Sequence, residues 1–286
     1  MFSNKVIKYS MPNNELKTFS FFEGNSPLLV SIPHDGRLLS DDIKKSVKEK
    51  FLELPDTDWH MNRLYDSFKD TQWNIISANF SRYVVDLNRS SDDIKLYNDY
   101  KSTGLCPVTS FSGEHLYSDG NEISELKIER RVKSYWKPYH DKINQTLESI
   151  KSKYGYAILW DAHSIKSRVP NLFEGELPNL NIGSNSGRSC PNSILDSIHK
   201  IASNSGFSVV LNGRFKGGYI TRHYGKPAEN VYAIQMEIAQ RSYMNEITLS
   251  YDERLSKKLT PILKLMLDTF IVNSEEYFKD RRYEEN

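Results

Sequence analysis

Cysteine is nearly missing from this chain: Cys106 and Cys190 are the only two in 286 residues. That excludes a disulfide framework and a thiolate zinc site, so any metal here is held by histidine and carboxylate. No apolar run approaches the roughly 20 residues needed to cross a bilayer, and the opening Met1-Phe2-Ser3-Asn4 lacks the basic and apolar pattern of a signal peptide. Nor does charge of one sign dominate, since 38 Lys and Arg stand against 37 Asp and Glu. No basic field therefore points to nucleic acid or an anionic membrane. The expectation is a soluble, cytoplasmic protein without internal repeats, forming one domain over residues 1–286.

What is present is an alternation of strand-like and helix-like segments, the pattern of an α/β layer architecture. Short runs rich in Val, Ile, Leu and Tyr predict strands at 28–33, 73–77, 82–87, 156–160, 207–211 and 230–236. Several are continuously apolar, as buried central strands are. Between them, Ile123, Leu126, Val132, Trp136, Tyr139, Ile143, Leu147 and Ile150 fall mostly three or four apart, which predicts a long amphipathic helix over 122–153 that Pro138 kinks or divides. Helices are also expected at 40–52, 57–70, 191–204 and 252–272, with Ser40, Asp56 or Thr57, and Pro191-Asn192 as start signals. The polar stretches 90–121 and 166–190 read as long loops of functional interest.

Two of the apolar runs end in histidine. PLLVSIPHDG (27–36) ends at His34, and YAILWDAHSI ends at Asp161-Ala162-His163. Ligands of open α/β sheets bind outside the carboxyl ends of the strands, so two histidines delivered there suggest one metal site. Asp161 could orient the His163 imidazole. Catalytic zinc takes three protein ligands and leaves a position for water. The acidic candidates for the third are Asp56 and Asp58 in LPDTDWHMNRLY, of which one is expected to cap the helix starting there and the other to ligate. His60 is a weaker candidate, because its spacing from Asp58 turns it to another face.

A hydrolytic site also needs a base, and Glu237 in VYAIQMEIAQRSYM is the acid that closes an otherwise apolar run. Its structural alternative is an i,i+4 pair with Arg241 at a helix start. NGRFKGGYITRHYG (212–225) gathers Arg214, Lys216 and Arg222 among glycines, and RYVVDLNR (82–89) ends in Asp86, Asn88 and Arg89. Arg forks match carboxylates bidentately, so a small anionic substrate fits both segments; taken singly, these would be solvated loop charges.

The segments SIPHDG, LPDTDWHMNRLY, YVVDLNR, DAHSI, LPNLNIGSNSGRSC, NGRFKGGYITRHYG and IQMEIAQRSYM, in this order over about residues 26 to 245, resemble the N-formylglutamate amidohydrolase (N-formylglutamate deformylase) family of histidine degradation. The resemblance implies a zinc-carboxypeptidase-like (phosphorylase/hydrolase-like) α/β fold, a mixed, mostly parallel, eight-stranded sheet flanked by helices, and hydrolysis of N-formyl-L-glutamate to formate and L-glutamate. It further implies that His34, Asp58 and His163 hold one zinc ion and that Glu237 is the general base. By the same resemblance Asn88 and Arg89 hold one substrate carboxylate, Arg214 and Arg222 the other, and Arg82 or Arg222 stabilises the oxyanion. The chain departs from the carboxypeptidase pattern in having Arg37, not Glu, three residues after His34, so the acidic ligand must come from 56–58. Competing expectations are a related zinc hydrolase for another N-acyl amino acid or a peptide terminus, and a non-catalytic small-anion binder on the same fold.

Overall fold

A computed structural model describes residues 17–94, 103–121 and 123–284. In chain order its elements are β1 (Phe19–Phe22), β2 (Leu28–Ile32), α1 (Asp41–Ser46), α2 (Met61–Asp66), β3 (Asn74–Ala78), α3 (Glu125–Arg131), α4 (Lys137–Tyr154), β4 (Ala157–Ile165), β5 (Leu180–Gly183), α5 (Asn192–Ser203), β6 (Val209–Leu211), α6 (Tyr219–Tyr224), β7 (Val231–Ala239), the short pair β8 (Met244–Asn245) and β9 (Ser250–Tyr251), and α7 (Glu253–Glu284). Seven strands form one sheet in the order β1-β3-β2-β4-β7-β5-β6. Four of its six pairings are parallel; β1 against β3 and β5 against β7 are antiparallel. The sheet is thus mixed and mostly parallel, as expected, with seven strands among the described residues where eight were expected.

The central strands are buried throughout because helices cover both faces. Side chains alternate between faces, so the two halves of each apolar run enter different cores. Ile158, Trp160, Tyr232 and Ile234 pack with Leu64, Ile194, Leu263 and Phe270 from α2, α5 and α7. Ala157, Leu159, Val231 and Ala233 pack with Tyr139, Ile143, Leu147 and Ile220 from α4 and α6. No helix among the described residues is long and apolar enough to cross a membrane.

Several expectations are corrected. Residues 82–87 are buried but form turns, with Asp86 N–H donating to Leu105 O (2.7 Å) and Val84 N–H to Ser81 O (2.9 Å). Their β-type side chains record burial over the strand ends, and among the described residues no strand pairs with them. The 166–190 loop contains β5, whose run of four is too short to show a period, and β1 passed unread for the same reason. The long helix divides, as Pro138 suggested: Val132–Trp136 opens into a π-turn just before α4. Pro138 cannot donate to the preceding turn and its ring crowds that turn's carbonyl, so the helix widens there. The 57–70 helix shrinks to α2, and 40–52 to α1 plus a 3-10 turn. The last helix extends past 272 to Glu284, where Phe278 and Tyr277 pack on Tyr156 and Tyr232 at ring separations of 5.3 and 5.6 Å. Of the 90–121 stretch, 95–102 lies outside the described residues, and 103–121 is irregular.

Trp160 reports on this core: it is fully buried, and its indole N–H donates to Tyr65 Oη at 2.7 Å. Trp160→Ala is expected to cost about 3–5 kcal/mol, measured as the shift in urea unfolding, while Leu265→Ala on the exposed side of α7 should stay within about 0.5 kcal/mol.

Candidate metal centre

His34 leaves β2 after Pro33, at the carboxyl end of the parallel strands. His163 does not follow its strand, as the sequence suggested, but lies within it: β4 stays paired with β7 as far as Ile165↔Ala239. The loop carrying Asp58 is tied to the first histidine by Asp58 N–H donating to His34 O (3.1 Å). His34 Nδ1 and His163 Nδ1 are 3.1 Å apart, Asp58 Oδ2 is 3.3 Å from His163 Nδ1, and 3.8 Å separates it from His34 Nδ1. All three residues are buried. Ligand atoms about 2.0–2.2 Å from a tetrahedral ion lie roughly 3.3–3.6 Å from one another, so this trio has the spacing of a metal-binding face.

The hydrogen bonds point the same way. Asp86 Oδ1 accepts a hydrogen bond from His34 Nε2–H at 2.7 Å, which in the neutral tautomer leaves the Nδ1 lone pair facing a second imidazole nitrogen and a carboxylate. Burial disfavours charge on His163, but Asp161, 3.1 Å from its Nε2, and Asp58 override this and raise its pKa well above the ordinary value. The site therefore draws positive charge to the spot between the three donors, which a divalent ion would supply. Asp58 is itself held as carboxylate: burial pushes its pKa up, but the Arg82 guanidinium, 2.8 Å from Oδ1, and the two histidines push it further down. Ser164 N–H donates to Asp58 Oδ2 at 3.0 Å. For Asp86, burial is likewise outweighed by His34 and Arg82.

Of the two acids, it is Asp58 that lies beside the two histidines, and neither caps a helix. Asp56 accepts from Tyr83 Oη and the Phe111 N–H, both at 2.8 Å. The start of α2 is capped from another loop by Asp35, which accepts from His60 N–H (3.2 Å) and Asn62 N–H (2.8 Å). His60 turns away, with Nε2 2.8 Å from Leu249 O.

Glu237 is in register beside His163 on β7 and is 6% exposed. Burial pushes its carboxyl up to about 8, partly offset by His163 and Arg82. It makes no helix pair with Arg241, which bonds Glu176 at 2.8 Å, because the segment is strand. A residue the sequence reading passed over, Gln235, donates to Glu237 Oε2 (3.1 Å) and accepts from Gly218 N–H (2.6 Å). The missed signal was the i,i+2 pair Gln235/Glu237, which repeats Asp161/His163 on the adjacent strand.

The arginines and Asn88 separate. Arg82, Arg89 and Arg214 line the cavity over the cluster together with Asn88, Phe111 and Gly218. Arg82 is ion-paired with Asp58, while the charge of Arg89 adds to the forces that hold Asp86 ionised. Arg214 Nε donates to Leu172 O (3.3 Å). Arg222 is not among the residues that line this cavity; its Nε donates to Gly217 O (2.7 Å) in the loop that does. Asn88 acts as a strut: Oδ1 accepts from Ile220 N–H at 2.8 Å, and Nδ2 reaches Asp161 Oδ2 (3.3 Å) and His163 Nε2 (2.9 Å). A Cβ at residue 218 would lie 2.3 Å from that Nδ2, so only glycine allows this approach.

The sequence profile of the N-formylglutamate amidohydrolase family matches residues 26–244. The chain is 42% identical over 265 residues to an N-formylglutamate deformylase of Pseudomonas putida, covering 92% of this chain and 99% of that protein. A Pseudomonas aeruginosa protein of the same name matches at 42% identity over 264 residues, again 92% of this chain and 99% of the relative. A crystal structure of an N-formylglutamate amidohydrolase from Ralstonia eutropha superposes with a TM-score of 0.75 at 22% identity, over 93% of this chain and 99% of the other.

Purified protein is expected to bind about one divalent ion per chain, and His163→Ala or Asp58→Ala to reduce this at least tenfold, read by elemental analysis with circular dichroism as the folding control.

Proposed function

The chain belongs to the N-formylglutamate amidohydrolase family, and on that footing we propose that it hydrolyses N-formyl-L-glutamate to formate and L-glutamate, in the cytoplasm, at a zinc ion held by His34, Asp58 and His163. The observation that carries this reading is the convergence of those three donors at 3.1–3.8 Å beside a buried carboxyl, Glu237, on the adjacent strand. Two imidazoles and one carboxylate are a donor set of catalytic zinc. When bound, such an ion supplies Lewis acidity and makes a water acidic enough to attack near neutral pH.

The chain's own groups supply the rest. Glu237 takes the proton of the attacking water and delivers it to the departing amine nitrogen as the C–N bond breaks. Gln235, bonded to Glu237 Oε2, fixes which oxygen faces the water. Arg82, ion-paired to Asp58, keeps that ligand anionic and brings positive charge to where the oxyanion develops. Arg89 and Arg214 line the cavity and clamp the two carboxylates of the glutamyl part, which orients the amide toward the water. Asn88 positions His163 and the start of α6. Arg222 acts indirectly, by holding the Gly217 carbonyl and so the glycine-bearing wall of the cavity.

Metal-loaded protein should release formate from N-formyl-L-glutamate; none released at saturating metal and substrate would falsify the reading. Glu237→Gln should retain the ion and lose about 10²–10⁴ in kcat. Arg214→Ala and Arg89→Ala should each weaken kcat/KM about 10- to 100-fold, in line with about 1.5–3 kcal/mol for a hydrogen bond to a charged group.

A further inference from the structure

The cavity above the cluster shares a wall with a second chamber. Phe111, Ser164 and Ile165 line both. The site cavity measures about 120 Å³, whereas the second chamber, also bounded by Thr57, Lys166 and Gln240, measures about 420 Å³. It lies directly beside the proposed ligands, since Thr57 precedes Asp58 in the chain and Ser164 N–H donates to Asp58 Oδ2. Gln240 Oε1 is buried without a hydrogen-bond partner, although its Nε2 donates to Thr57 O at 2.9 Å. A chamber with an unpaired buried acceptor, larger than the site it adjoins, is not explained by a substrate whose acyl part is a single carbon.

Phe111 stands between the two spaces and is held there firmly. Its ring lies over the Arg82 guanidinium at 4.8 Å, and its N–H is anchored by Asp56 Oδ2 at 2.8 Å. The turn carrying it is closed by Gly113 N–H to Ser110 O (2.9 Å) and by Ser110 N–H to Glu114 O (2.9 Å). Phe111 packs against the small cluster of Ile165, Val169, Leu177 and Ala239, as do Leu172, Phe173 and Phe215. The ring is therefore a fixed partition.

We propose that Phe111 sets the acyl size accepted by this enzyme, by closing the site against the second chamber. The inference rests on the reading of the site as an N-acyl amino acid hydrolase. A formyl group carries only hydrogen on its carbonyl carbon; every longer acyl group must place its further carbons on the side away from the amide nitrogen. With the glutamyl part held by Arg89 and Arg214, those carbons face Phe111. Removal of the ring joins the chambers and admits acyl chains of two to four carbons.

The test compares wild type, Phe111→Leu and Phe111→Ala at equal metal content, with N-formyl-, N-acetyl- and N-butyryl-L-glutamate. Wild type should favour formyl over acetyl by at least 100-fold in kcat/KM. Phe111→Ala should lower that ratio tenfold or more and bring in the butyryl substrate, with Phe111→Leu in between. In parallel, calorimetric titration of formate, acetate and butyrate into metal-loaded wild type and Phe111→Ala reads the same size limit without turnover. If wild type hydrolyses N-formylglutamate, the turnover ratio decides, and an unchanged ratio in Phe111→Ala overturns the proposal. If wild type hydrolyses none, the functional reading fails by itself and the butyrate-to-formate affinity ratio decides: a tenfold rise supports the partition, and no rise overturns it.

Discussion

The pairing of β4 with β7 is the constraint on which the rest of the site depends. It runs unbroken from Ala157↔Val231 to Ile165↔Ala239. On the face turned to α4 and α6, the first two rows are apolar, Ala157 beside Val231 and Leu159 beside Ala233. The next two are polar, Asp161 beside Gln235 and His163 beside Glu237. One face thus passes from core to chemistry within four residues of each strand. A one-residue slip would exchange Ala162 for His163 and Met236 for Glu237 and drive charge into the core on the other side. That apolar penalty enforces the register, so the packing energy of the core holds the proposed base against the proposed ligand.

Charge so deeply buried persists only if it is paired. Arg82 serves both Asp58 (2.8 Å) and Asp86 (3.8 Å), and Asp86 serves His34 in turn (2.7 Å). The loop after β3 accordingly braces the ligands that leave β2 and the 56–58 turn. Asp35 ties that turn down from the far side through the start of α2. Three loops remote in sequence share one network, and no member can move without leaving a buried charge unpaired.

How much of this the sequence disclosed follows from where each signal is stored. His34, His163 and Glu237 stood out in the sequence because each interrupts an apolar run, and a polar group buried in such a run is costly unless it is paired. Asp58 was narrowed to a pair with Asp56, and only three-dimensional contacts separate the two: Asp56 is held by Tyr83 and the Phe111 N–H, whereas Asp58 reaches the histidines. Asn88 and Arg222 were read as substrate clamps from their company; the contacts of Asn88 with Ile220 and His163 are long-range pairings that no local pattern encodes, and the bond of Arg222 to Gly217 is local but depends on how the glycine-rich loop turns into α6. The supposed strand at 82–87 shows the converse: Tyr83, Val84 and Val85 are buried, and burial without a pairing partner leaves the same residue signature as a strand.

The charge balance of the cluster finally explains why its parts belong together. Asp58, Asp86 and Asp161 bring three negative charges and Arg82 one positive, a surplus of two. The surplus falls on His163: burial opposes charge there, but Asp161 and Asp58 raise its pKa well above the ordinary value. Glu237 responds by staying protonated up to about 8, since burial and the Asp58 charge both disfavour its ionised form. A divalent cation held by His34, Asp58 and His163 would cancel the surplus, take the place of the proton on His163 and lower the cost of ionising Glu237. On the proposed reading, the carboxyl that the bare cluster holds protonated would serve as a base near neutral pH once the ion is bound. Activation of the base and occupation of the site would then be one electrostatic event, set by buried charges that the β4–β7 register and the loops carrying Asp58, Arg82 and Asp86 bring within reach of each other.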